Sequence, residues 1–187
     1  MVDEIITGVD DMGIWCGLIG EVGISWPITP FERKSLQSSA EAQKQTGTPM
    51  SIHPGRSQDA PEEIIHILQE CNADLCRTVM CHLDQSIVDH EKLIEVAKSG
   101  CFLEYDFFGI DVSYYQTKSS VDVMSDVQAI QEIQFLISEG YEDKILISHD
   151  VHCRHHLVKY GGRGYTHINT NTIPKMIEMG ISQDIVR

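Results

Sequence analysis

Residues 49–82 read PMSIHPGRSQDAPEEIIHILQECNADLCRTVMCH. Two short apolar runs, 49–53 and 78–82, flank the stretch 60–71. There Ile64, Ile65, Leu68 and Cys71 fall on one helical face behind Pro61. A strand buried on both faces is nearly continuously apolar, whereas a surface helix repeats its apolar positions every three to four residues. The stretch is therefore a β-α-β unit. Both of its strands end on a histidine, His53 and His82, which are 82 − 53 = 29 residues apart.

The same rhythm continues outward in both directions. Strands are expected at 16–22, 49–53, 78–82, 101–105 and 144–149, and helices at 29–46, 60–71, 89–98, 122–140 and 171–179. Helix 29–46 opens with Thr29 as N-cap, Pro30 at its first position and Glu32 at the capping-box position, and Gly47 stops it. Repeated βα units imply a parallel sheet with right-handed crossovers, either doubly wound or part of a barrel. No glycine-rich nucleotide motif is present. The longest loops, 109–120 and 151–170, follow strands, where function tends to sit. A length of 187 residues fits one domain, 1–187.

Composition narrows the partners. A net charge of −14 without any basic stripe argues against nucleic acid and anionic membranes. No apolar run approaches membrane-spanning length, and the acidic start MVDEIITGVDD is unlike a signal peptide. None of the six cysteines forms a C-x-x-C pair. In a chain of this length they read as reduced, mostly buried thiols, which suits the cytoplasm. The expected partner is a small-molecule substrate, and self-association is left open.

Chemistry collects at the strand ends. The first strand ends LIGEVG with Glu21, and the second ends SIHPGR with His53. The third ends VMCHLD with His82 and Asp84, and the fourth ends LEYDFFG with Glu104 and Asp106. The fifth ends ISHDVH with His149, Asp150 and His152. Spacings of 53 − 21 = 32 and 29 residues match the roughly 30 residues per unit of an eightfold barrel. Ionisable groups at the ends of buried strands are costly unless partnered. A single histidine there is more simply a core residue. Glu, His, His and Asp at four equivalent ends point to a divalent-metal site, because imidazole and carboxylate suit zinc, manganese or iron.

The motifs GEVGISWP (20–27), IHPGR (52–56), HLD (82–84), LEYDFFG (103–109), ILISHD (145–150) and YGGRGYTHI (160–168) resemble those of the phosphotriesterase-related proteins of the amidohydrolase superfamily. The resemblance covers nearly the whole chain. It implies an α/β fold, a partial (β/α)8 TIM barrel comprising strands four to eight with their helices. It implies two divalent metal ions, zinc being the expected metal, and a hydroxide activated by them. By the same resemblance Glu21 is the bridging ligand, in the place where phosphotriesterases carry a carboxylated lysine. His53 and His82 are ligands of the second metal. Asp150 is a ligand of the first and the catalytic proton acceptor. The family's H-x-H pair on strand one is not in this sequence, so an N-terminally truncated chain, inactive by itself, is the expectation.

The family's association with N-acetyltaurine and other N-acetyl amino acids implies hydrolysis of small N-acyl substrates. A lactonase or esterase on the same centre, or a non-catalytic binding module, are the alternatives. Arg56 reads either as an anchor for an anionic substrate group or as an ordinary salt bridge. Tyr105, Trp26 and Tyr165 read as pocket lining or core, and Phe108 as core. Asp84 either orients a ligand histidine or caps the next helix. Asp106 and His152 either support the ligands and shuttle protons or bond within loops. Strand alternation turns His149 away from Asp150, toward packing.

Overall fold

The computed structural model describes residues 1–10, 12–110, 112, 114–115, 120 and 122–186. Among the described residues six α-helices, α1 (Val2–Ile6), α2 (Pro30–Thr46), α3 (Ala60–Glu70), α4 (His90–Lys98), α5 (Asp126–Ser138) and α6 (Ile173–Glu178), alternate with five strands. The strands are β1 (Ile19–Gly23), β2 (Met50–His53), β3 (Thr78–Met80), β4 (Phe102–Tyr105) and β5 (Ile145–Ile147), ordered β1-β2-β3-β4-β5. Two compact units divide the chain: Met1–Cys81 with Ser86–Leu103, and His82–Gln85 with Glu104–Arg187. The division falls inside β4.

In the first unit β1 pairs with β2, β2 with β3, and β3 with the start of β4, all in parallel. Ile19, Met50, Ile52, Met80 and Leu103 are fully or almost fully buried, and so are Leu36, Ile64, Leu68 and Leu93 from the helices. Each such side chain contributes about 1.5–3 kcal/mol of apolar burial. The expected capping box is present: Thr29 Oγ1 accepts from Glu32 N–H, and Glu32 Oε2 accepts from Thr29 N–H. Gly47 ends α2 in the left-handed conformation at φ 68°. A polar clamp unforeseen in the sequence ties α2 to β3. Buried Gln43 donates to the carbonyls of Asp74 and Arg77 and accepts from Asp74 N–H at 2.9 Å.

In the second unit Ser148 N–H donates to Tyr105 O at 2.9 Å, setting β5 beside the end of β4. Tyr105, Phe108, Ile130, Ile133, Leu136 and Met176 fill its core. Helix α5 starts at a second capping box, Ser125 with Gln128. Its Gln134 donates to Met179 O at 2.7 Å, just past α6.

Element bounds differ from expectation where side chains or backbone redirect the chain. Strand β1 begins at Ile19 rather than 16, because residues 16–18 are exposed and Cys16 N–H is taken by Glu4 O. Strand β3 ends at Met80, since His82 adopts φ 57°, in the left-handed region that strands exclude. Helix α5 begins at Asp126 rather than 122, where Ser125 caps it. Of the expected loop 109–120, residues 111, 113 and 116–119 lie outside the described residues. Helix α1 was not foreseen.

Candidate metal centre

Glu21 and His53 lie in the first unit. Gly23 and His53 are register partners, so β1 and β2 end together, and Ile24 N–H closes the pair on His53 O at 2.9 Å. Glu21 Oε2 lies 3.5 Å from His53 Nδ1, with both side chains part-exposed. Gly20 makes this approach of strands feasible. At φ 126°, a Cβ there would stand 2.5 Å from Ser51 O, closer than any side chain allows. Arg56 donates to Pro54 O at 3.3 Å, within its own loop.

His82 and Asp150 lie in the second unit. Asp106 grips His82 twice: Oδ2 accepts the His82 backbone N–H at 3.0 Å, and Oδ1 lies 2.8 Å from Nδ1. Both side chains are buried, 5% and 4% exposed, so the pair is shielded from competing water. A carboxylate at Nδ1 fixes the tautomer and leaves Nε2 with the lone pair, the arrangement a metal-binding imidazole uses. Asp106 is thus the carboxylate that orients His82. Asp84 instead accepts Phe107 N–H at 2.7 Å, while α4 is capped by Asp89. The other oxygen of Asp84, Oδ1, is buried with no hydrogen-bond partner among the described residues. Burial, reinforced by the charge of Asp106, pushes the Asp84 carboxyl well up.

Asp150 sits at φ 43°, just beyond β5. Burial raises its carboxyl, while the neighbouring His152, with Nδ1 3.2 Å from Oδ1, pulls the other way. A carboxylate raised in this manner holds a proton more readily. His152 Nδ1 also lies 2.7 Å from Asp150 O. His149 Nε2 accepts Ile168 N–H at 3.1 Å, a packing role, and burial lowers its basicity. Tyr105 is 1% exposed and belongs to the core, as does Phe108, whereas Tyr165 is 68% exposed. Trp26 is part-exposed.

The sequence leaves Asp106 between supporting a ligand and bonding within its loop, and the contact with His82 favours the first. The contact with His82 spans 24 residues and depends on His82 leaving the strand. No local pattern encodes either fact.

The phosphotriesterase family model matches residues 1–187. A phosphotriesterase-related protein of Nematostella vectensis is 55% identical over 98% of this chain and 53% of its own length. An N-acetyltaurine hydrolase of Xenopus tropicalis is 53% identical over 100% of this chain and 53% of its own. The solved structure of a resiniferatoxin-binding protein from Rhodobacter sphaeroides matches with a TM-score of 0.91 at 35% identity, over 99% of this chain and 52% of that one. The chain spans about half the length of the curated relatives it matches. The expected fold class stands, an α/β succession of the kind that makes part of a (β/α)8 barrel. By its whole described length and the order of its motifs, the chain belongs to the phosphotriesterase family.

Proposed function

We propose that this chain contributes to a metal-dependent hydrolase of small N-acyl substrates, with N-acetyltaurine or an N-acetyl amino acid as the substrate class. Glu21, His53, His82 and Asp150 are the proposed metal ligands, and Asp150 is also the proton acceptor. The donor chemistry fits. Two carboxylates and two imidazoles suit zinc-type cations, and the most telling observation is the buried Asp106 that fixes His82 in a ligating tautomer. When bound, such cations lower the pKa of water and polarise a carbonyl. Asp150, its carboxyl raised by burial, is suited to take a proton and pass it to the leaving nitrogen. The names of the relatives support the substrate class. Arg56 remains a proposed anchor for the sulfonate or carboxylate. Six free cysteines support a reducing, cytoplasmic setting, although only Cys81 and Cys101 are buried, against the expectation that most would be. No helix of the described residues is long and apolar enough to cross a membrane.

Acetate release from N-acetyltaurine by a protein that carries this chain at the full length of its curated relatives, measured beside hydrolysis of a simple lactone, tests this reading; residues 1–187 alone are expected to be inactive. The expected result is amide hydrolysis that a chelator abolishes and added zinc restores. Glu21→Gln should lower both metal content and turnover, because a neutral amide is a poor ligand for two cations. Lactone turnover alone would move the assignment to an esterase, and chelator-resistant turnover would end the metal reading.

A further inference from the structure

The turn beyond Asp150 carries another set of ligand-type side chains. Cys153, His155 and His156 each offer a ligand atom, and these atoms lie within 4.8 Å of one another. Cys153 is a free, half-buried thiol. The His156 ring sits edge-on to two other imidazoles, with centroids 4.3 Å from that of His155 and 5.0 Å from that of His152. Its Nδ1 is buried and has no hydrogen-bond partner among the described residues. A buried imidazole nitrogen normally has a partner, so this one is open to a ligand.

The backbone displaying these groups is held from behind. Arg154–His156 form a single 3-10 turn, in which His156 N–H donates to Cys153 O at 3.1 Å. Gly164 N–H donates to His156 O at 2.8 Å. A Cβ at Gly162 would overlap the carbonyls of both His155 and His156, so the following segment packs bare backbone against the turn. Three donors are therefore displayed on a braced scaffold, and only their side chains need adjust.

The donor set selects the ligand. One thiolate and two imidazoles match a borderline-soft divalent cation bound tetrahedrally, with water in the fourth position. Zn–S and Zn–N lengths of about 2.3 and 2.0–2.1 Å place tetrahedral donors roughly 3.5 Å apart. Exposed His155 has room to close that gap by rotation. We propose that Cys153, His155 and His156 form a zinc-type cation site that is separate in its donors from Glu21, His53, His82 and Asp150. That other set contains no sulfur, so a metal–thiolate signal reports this site and not the other.

Cobalt(II), titrated into the metal-stripped protein, reads this site through the near-UV charge-transfer band of a cobalt–thiolate bond. The band should rise to saturation in the unaltered protein and vanish in Cys153→Ser. In His155→Asn, which alters an exposed side chain and should leave the circular dichroism unchanged, the titration should weaken by roughly tenfold or more, at least the cost of losing a supporting partner. No band in the unaltered protein, or a band that survives Cys153→Ser, would overturn the proposal.

Discussion

At the scale of single residues, the chemistry depends on which group faces which. Asp106 touches His82 through both carboxylate oxygens, so its replacement tests whether ring orientation matters apart from the proposed ligands themselves. Asp106→Asn keeps the shape and the bond to the His82 backbone but weakens the hold on Nδ1. Metal affinity or turnover should fall roughly 10–100-fold, with far-UV circular dichroism unchanged. Unaltered metal content and turnover would reduce Asp106 to a packing role. The residue types were legible in the sequence, because Glu21, His53, His82 and Asp150 recur at equivalent strand ends. Their partners were not. Asp84 and Asp106 look interchangeable as letters, yet one holds Phe107 and the other His82. That choice is made by the left-handed turn at His82, which no spacing announces.

At the scale of elements, the sequence told most where capping chemistry is local. Thr29, Pro30, Glu32 and Gly47 set both ends of α2, and the structure places each as read. Bonds from Thr29 and Ser25 hold the Glu32 carboxyl down to about 2 from its ordinary 4.5. A depressed acid contributes stability that is fully present above 4.5 and is lost as pH falls through about 2. Glu32→Ala should therefore lower stability near neutral pH, by less than about 1 kcal/mol because solvent screens the partly exposed group. The gap between the melting curves of the two proteins should narrow across that acid window. A gap that stays constant down to the lowest pH would show that the charge is irrelevant to the cap. Elements shaped by distant contacts were read less well. The start of β1 was misplaced because Cys16 bonds to Glu4 in α1, and α1 itself carries too few apolar positions to show a period.

At the scale of the whole molecule, the βα succession was legible because parallel strands demand crossovers, and the order of elements in the sequence is their order in the sheet. Net charge acts at this scale as well. At −14 the molecule repels anions over a Debye length of roughly 10 Å at 0.1 M salt. If the substrate carries a sulfonate, kcat/KM should rise with ionic strength, while that of an uncharged N-acetyl amide stays flat. A fall for the anion instead would mean that local positive charge, with Arg56 the first residue to replace, dominates encounter. The division into two units could not have been read from the sequence, because it follows contacts rather than composition. It has a practical consequence. The chain passes from one unit to the other after Cys81, Gln85 and Leu103, so no single cut separates them. A split-protein reporter opened between Leu103 and Glu104 would send His82 and Asp84 away with the wrong half, and that half would have to surrender them before either piece could be whole.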